Sequence, residues 1–580
     1  MNPHTHHPVW TAGASTDLEL GNRYNKPSEA EGEWSSTFFP PLLNKIPARN
    51  KYSNNCHLNF LENQVLTSRV SIYTWSGIFT IFTIIFPTSV LEAKTNSGHA
   101  ALRLLNSTRK MLHYIHPNHP VGDVHPYFEN GVYYLNYIHD PGKWIVDQLR
   151  STDLLHWEWY PLSHTPPASW QILPNWYVLS TIRDPVADLY RTYYFHYGSR
   201  MSVSQDLQNW EFGTPHQILP SYDFRYSRQG DNYAFYNEEL KEYWMVILLQ
   251  RNNVPYYQAG AIGYATSENL VEWKWKGELY YPGNKGDPEV PSMFNVGTKW
   301  YLLTSFYDHM VGKPSYRISE TPYGPWSVPV PDSLDGKDLC AAMTVSNGLK
   351  RLLLGWIPLT ASKPDNQHWG GHIAFPREVY QLSDGRLACR LESSIGSRIR
   401  GEQLFPGGTT VISQESGLWN IDLNSATCTS TIGYAFSQIS TTYDELDLDL
   451  SISLGDTCKR AGVLLGRNAS LAGFEISIDM EQGRFVIWSP GTWVHSEIQL
   501  HDFEPGVHSL RVIIEEDIVE AFLDDQYSLA ARLPSKLNQY KVGLFSFNGT
   551  ARFDDIRLFR LKGLEEISEA ESSVDNWSQY

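Results

Sequence analysis

The sequence is poor in cysteine, has no excess of positive charge and carries none of the short metal-binding signatures. Five cysteines (Cys56, Cys340, Cys389, Cys428 and Cys458) in 580 residues are few and odd in number, so no disulfide framework is predicted. Cys428 and Cys458 are the candidates for a single pair. There is no CxxC and no HExxH, so neither a metal nor an organic cofactor is expected. With 46 Lys and Arg against 63 Asp and Glu, the formal charge is −17. Nucleic acid, whose phosphates require a basic footprint, is excluded as a partner.

Long apolar runs are also scarce, with one exception. Residues 1–68 are rich in His, Asn, Pro and Ser without periodicity and read as a disordered tail. Residues 69–92 then enclose "VSIYTWSGIFTIFTIIFPTSVL", 22 residues without a charge, where about 20 suffice to cross a bilayer. Arg49, Lys51 and Arg69 precede it, which favours a signal anchor at residues 70–91 with the following chain outside the cytoplasm. A signal peptide behind a misassigned start and a buried core helix are the other readings. Sequons at Asn106, Asn468, Asn548 and Asn576 fit a secreted or membrane-anchored glycoprotein.

What is abundant is aromatic residues, 13% of the chain with 20 Trp and 34 Tyr. Much of this lies in an internal repeat. "STDLLHWEW", "SVSQDLQNWEF", "GYATSENLVEWKW" and "YRISETPYGPWSV" share a Ser, a short polar turn and a Trp (Trp157, Trp210, Trp273 and Trp326). Ahead of each runs an aromatic, β-branched segment: "VYYLNYIHD", "TYYFHYG", "EYWMVILLQ" and "KWYLLTSFYD", with "KRLLLGWIP" as a fifth copy. Such runs between turn residues are strand signals. Five of them at this period predict an all-β chain with a five-bladed propeller of four-stranded blades over residues 110–395. Residues 400–562 alternate apolar and polar positions and predict a β-sandwich. It includes a hairpin at the Asp-Asp of "RVIIEEDIVEAFLDDQYSLAARL". Residues 563–580 read as a disordered acidic tail.

Inner strands of a propeller converge on one axial funnel. Each central strand here has a carboxylate upstream: Asp123, Asp184, Asp231, Glu289 and Asp338. Carboxylates gathered in one cavity shift one another's pKa values. That is what glycoside hydrolysis needs: one acid to protonate the leaving oxygen and one carboxylate to attack or to activate water.

Over residues 118–562 the sequence resembles glycoside hydrolase family 32, the invertase, inulinase and levanase group. "EVPSMF" is similar to the family's Glu-Cys-Pro-Asp-Leu-Phe segment, "PREVYQLSDGRLACR" to the strand leading out of its propeller, and "IVEAFLDDQ" to a hairpin of its sandwich. The resemblance implies a retaining fructosidase, acting on sucrose- or fructan-type oligo- or polysaccharides by hydrolysis or fructosyl transfer. Glu289 would be the acid/base, Asp123 the nucleophile and Asp231 the transition-state stabiliser. The family's Arg-Asp-Pro tripeptide occurs literally at Arg183-Asp184-Pro185. Counting blades nonetheless favours Asp231, 58 residues before Glu289, with Arg228 standing in for the family's arginine. Arg183, Asp184, Arg228, Asp338 and Trp369 are then expected to bind sugar. "GDVHPYFENG" keeps Asp123 but departs from the family's Asn-Asp-Pro-Asn-Gly. Two rivals follow: an inverting α-L-arabinofuranosidase or β-xylosidase on the same scaffold, and a carbohydrate-binding propeller without catalysis.

Overall fold

The computed structural model describes residues 111–139, 145–165, 180–195, 199–212, 225–307, 312–361, 369–407, 410–466, 473–536 and 540–567. The predicted tail and apolar segment, Cys56, and the sequons at Asn106, Asn468 and Asn576 lie outside these residues. Among the described residues no helix is long and apolar enough to cross a membrane.

Five sheets of antiparallel strands follow one another as blades. The first holds β1 (Gly122–Glu129), β2 (Val132–His139), β3 (Ile145–Ser151) and β4 (Glu158–Pro161). The second gathers β5 (Ser163–Thr165), β6 (Ser180–Asp184), β7 (Leu189–Phe195), β8 (Ser199–Ser204) and β9 (Asn209–Phe212), with β5 pairing in parallel to β9 at its edge. The third is β10 (Tyr226–Asn237), β11 (Glu242–Arg251), β12 (Gly260–Ser267) and β13 (Lys274–Tyr280). The fourth has β14 (Asp287–Val296), β15 (Lys299–Tyr307) and β16 (Pro314–Ser319). The fifth has β17 (Cys340–Ser346), β18 (Arg351–Pro358), β19 (Gly371–Ile373), β20 (Arg377–Gln381) and β21 (Leu387–Leu391). The predicted propeller is present, but four strands per blade is not uniform. In blade four the stretch at Trp326 makes only an isolated bridge, Ile318 to Ser327, rather than a fourth strand. The ring closes where Val121, just ahead of β1, exchanges backbone hydrogen bonds with Gly371 of blade five.

The repeated Ser–turn–Trp segment has a physical cause. In blades one and two the Ser hydroxyl (Ser151, Ser204) accepts from the backbone N–H groups two and three residues on; Ser267 of blade three accepts from the N–H two residues on. The Asx side chain inside each turn (Asp153, Asp206, Asn269) accepts from the N–H groups two and three residues further on. These bonds hold a buried leucine with positive φ, Leu154 at 67°, Leu207 at 64° and Leu270 at 61°. That conformation is uncommon outside glycine and persists because the turn over-determines it. Trp157 and Trp273 then directly precede the outer strand, and Trp210 is the second residue of its own.

After β21 a helical turn, Ser393–Arg398, is capped by the Glu392 carboxylate and leads into the second region. There a long strand, Tyr540–Leu561, pairs with Arg400–Phe405, Ala426–Tyr443, Glu445–Leu454 and Arg460–Leu465 in a thirteen-stranded sheet. It wraps round one apolar core built from alternate strand positions such as Leu446, Leu448, Leu450 and Ile452. The predicted hairpin is present. Ile518–Leu523 and Tyr527–Arg532 flank Asp524 and Asp525, both at φ 54°, the backbone that a tight hairpin turn requires.

The two regions share a buried charged seam. Arg377 of β20 lies 3.2 Å from Asp335 and 2.5 Å from Glu520, all fully buried. His113 bridges Glu515 and Glu520 at 2.7 Å each. Those two carboxylates hold its imidazole pKa above the ordinary value against the opposing effect of burial.

Two expectations are corrected here. Cys428 and Cys458 are separate buried thiols, and the Cys458 Sγ donates to the Arg460 carbonyl instead. The acidic tail does not begin at residue 563. Leu564 and Ile567, three apart on one face of a helical turn, pack on the blade-one core, and Glu566 pairs with Arg560 at 2.6 Å. Residues 568–580 lie outside the described set.

Candidate active site

Four innermost strands carry the same irregularity at the same end. Pairing slips between Gly122 and His125 in β1, Gly230 and Tyr233 in β10, Glu289 and Ser292 in β14, and Cys340 and Met343 in β17. In each, one residue takes positive φ: Asp123 at 37°, Asp231 at 46°, Val290 at 44° and Ala341 at 43°. A bulge re-aims a side chain and strains the backbone, and such features gather at functional sites. Here they turn three carboxylates toward one another.

Arg228 organises the group. Its Nη1 donates to Glu289 Oε1 at 3.0 Å and also to the Asp287 carboxylate, while Nη2 stands 4.0 Å from Asp231 Oδ1. The other oxygen of Asp231 accepts the Val290 N–H at 3.0 Å, which ties blade three to blade four beside Glu289. Asp123 accepts from Trp356 Nε1 at 3.4 Å and from Trp369. Trp369 lies flat enough on β1 that a Cβ at Gly122 would meet its ring at 2.2 Å, so only glycine fits there.

The electrostatics separate the carboxyls. Burial, the Asp231 charge and too little compensation from the two indoles and Arg228 push Asp123 up to about 6. Glu289 is pushed higher, to about 8, by burial and by the charges of Asp287, Asp231 and Asp123, with Arg228 opposing. Glu289 still keeps 28% of its side chain accessible, facing the funnel. At neutral pH one carboxyl is thus mostly ionised and its neighbour mostly protonated, the division of labour that acid–base chemistry on a glycoside requires.

The structure therefore brings together Asp123, Asp231, Glu289, Arg228 and Trp369. Three other expected sugar-binding residues are elsewhere. Asp184 ends β6 rather than starting it. Its Oδ1 accepts from the Val186 and Ala187 N–H groups at 3.0 Å each, and Oδ2 accepts from Arg191 Nε at 2.8 Å. It caps a hairpin turn, as Asn237 does at the same end of β10 by accepting from the Glu239 and Leu240 N–H groups. Ser180, four residues earlier, is level with Ala234, whose N–H it accepts. Seven strand residues thus separate Asp184 from the level of Asp231, on the order of 20 Å. Arg183 stays at that far end, paired with Asp188 and lying over the Tyr190 ring at 4.7 Å. Asp338 is fully buried against the sandwich, where it accepts the Arg532 N–H at 2.9 Å.

Sequence reasoning missed Asp287, Trp356 and Tyr256. Asp287 stands two residues before Glu289, and that i, i+2 spacing puts both on one face of a strand, which was the available signal. Tyr256 opens a helical turn, Tyr256–Ala259, and is 51% exposed. Its hydroxyl bonds the Asp287 backbone, which sets it close to Glu289, and burial with the charges of Asp287 and Glu289 pushes that hydroxyl up to about 12.

Residues 117–389 match the family model of the glycosyl hydrolases family 32 N-terminal domain. No curated protein sequence matches the chain. Among solved structures, an exo-inulinase from Aspergillus awamori superimposes with a TM-score of 0.60 at 16% identity, over 78% of this chain and 98% of its own. A family 32 beta-fructofuranosidase from Bombyx mori gives 0.58 at 16%, covering 80% and 98%. A beta-fructofuranosidase from Aspergillus kawachii in complex with glycerol gives 0.61 at 13%, covering 79% and 94%. At these identities the superpositions show a shared fold of propeller and sandwich. The family-model match spans all five blades, so residues 117–389 belong to the glycosyl hydrolases family 32 N-terminal domain as a divergent member, and the protein is a glycosidase.

Proposed function

We propose that the chain is a retaining glycosidase acting on fructosyl linkages, with Asp123 as nucleophile and Glu289 as acid/base. The observation that carries this is the convergence of Asp123, Asp231 and Glu289 around Arg228 at aligned bulges of three blades. The solved structures it resembles are named as inulinase and beta-fructofuranosidases, which supports the fructosyl unit as the group recognised.

In the first step the ionised Asp123 attacks the anomeric carbon while protonated Glu289 gives its proton to the departing oxygen. Glu289, now a carboxylate beside Arg228, then takes a proton from water as the water oxygen attacks the anomeric carbon and displaces the Asp123 carboxylate, which releases the sugar. A second sugar in place of water would give transfer. Asp231, held by the Val290 N–H, is set to accept hydrogen bonds from sugar hydroxyls as positive charge grows on the ring. Trp369 and Tyr256 offer the ring faces against which a sugar packs. The predicted export of the enzyme rests on residues 69–92 and is part of the same proposal.

The test is release of monosaccharide from sucrose, inulin, levan and an aryl α-L-arabinofuranoside by the wild type and Glu289→Gln. Fructose release that falls at least about 100-fold in the variant is expected. Arabinose release without fructose release contradicts the fructosyl reading. Fructose of inverted configuration on first release contradicts Asp123 as nucleophile.

A further inference from the structure

Blade one holds a second cluster of chemistry-bearing side chains that the glycosidase mechanism does not use. His139 ends β2 and Asp147 lies on β3. In the register of that pair His139 faces Ile145 and Asp147 faces Tyr137, so the two are diagonal neighbours on one face of the sheet. His119, from the segment entering β1, stacks on His139 with ring centroids 3.7 Å apart and 7° between planes. Asp147 Oδ2 is 3.2 Å from His139 Nε2 and 3.8 Å from His119 Nε2, and one ligand atom of each residue lies within 4.8 Å of the other two.

We propose that His119, His139 and Asp147 form a binding site for one divalent cation of the zinc class, which fastens the entry of blade one. A tetrahedral zinc with bonds of about 2.0–2.1 Å has donor-to-donor edges of about 3.3 Å; the two edges to Asp147 straddle that length, and one of the two stacked rings turns about its Cβ–Cγ bond to bring its in-plane lone pair to the shared ion. Two imidazoles and one carboxylate are the donor set that borderline cations prefer over calcium or magnesium. The surroundings orient the donors as outer partners of a metal site do. His119 Nδ1 faces the Pro120 carbonyl at 3.4 Å, which leaves Nε2 as the lone-pair side. Trp159 Nε1 donates to Asp147 Oδ2 at 2.9 Å. His116 covers the outer face of His119, with centroids 3.8 Å apart.

The consequence is positional. His119 stands four residues before Asp123, and the intervening Val121 closes the propeller ring on Gly371. A cation joining His119 to β2 and β3 would fix the strand start from which Asp123 projects. The sequence conceals this set because its three members sit on separate segments rather than in a contiguous signature.

The experiment is zinc titration by calorimetry of the chelator-treated full chain, repeated with cobalt to read its visible ligand-field bands. One equivalent with tetrahedral cobalt bands is expected. In His119→Gln and Asp147→Asn the affinity for that equivalent should drop about tenfold or more. Zinc should raise the Tm of the wild type but not of either variant. His4, His6 and His7 remain in all three proteins, so any difference belongs to blade one. Absence of a bound equivalent in the wild type, or equal affinity in the folded variants, overturns the site and means that these groups form a metal-free hydrogen-bonded cluster.

Discussion

Blades two and three each bury an aspartate on the innermost strand, and Asp184 and Asp231 are both 4% exposed. Their surroundings differ in every other respect. Asp184 ends its strand, caps a turn and is neutralised by Arg191 on the neighbouring strand. Asp231 lies midway along its strand, on a bulge at φ 46°, and faces Arg228 across 4.0 Å. The backbone N–H bonds and Arg191 hold Asp184 below the ordinary carboxylate range. Burial of the same degree thus serves folding in one blade and chemistry in the other. Position along the strand decides which.

The comparison breaks or sharpens on four substitutions. The largest effect is expected at the funnel, where Glu289→Gln lowers release at least about 100-fold, as above. Arg228→Met should lower kcat/KM about 100-fold, because a charge-assisted contact to two of the carboxyls is lost. It should also move the pH profile in a defined direction. Asp123 must be ionised, so wild-type activity falls as pH drops below about 6. Glu289 must be protonated, so activity falls as pH rises above about 8. Arg228 lowers both pKa values, and its removal shifts both limbs to higher pH. An unshifted profile would show that Arg228 does not act on these groups.

The next effect is on stability alone. Asp184→Ala leaves Arg191 buried without its carboxylate and removes the turn cap, which costs about 3 kcal/mol. Denaturant unfolding should show that loss while kcat stays within about twofold. The smallest effect is expected from Asn237→Ala, which removes a neutral cap at the same end of blade three and costs about 1 kcal/mol. Equal losses from the two would mean that the Arg191 pair contributes nothing beyond the cap.

Much of this was legible in the sequence, and the failures have physical reasons. The blades showed through because four of the five repeat a Ser-to-N–H turn that leads to a Trp, so one local solution is written several times. Asp123, Asp231 and Glu289 could be found by their distance ahead of the central strands. Asp184 misled because a literal tripeptide outweighed its place. It lies directly before the turn residues Pro185–Asp188, at the end of its strand away from the funnel. Asp338 has the right count from β18, but the chain there has already left the funnel to meet the sandwich at Arg532. No local pattern reports which domain a buried carboxylate faces. Asp287 was readable from its i, i+2 relation to Glu289, whereas the His119, His139 and Asp147 cluster depends on a three-segment register that only the fold supplies.

The most direct measurement compares steady-state kcat on one fructoside for Asp231→Asn and Asp184→Asn in parallel. Asn keeps shape and removes charge, so folding is least disturbed. The account predicts a fall of about 100-fold or more for Asp231→Asn and a change within about twofold for Asp184→Asn. The reverse order would return the catalytic role to the Arg-Asp-Pro tripeptide and contradict the site assigned to blade three.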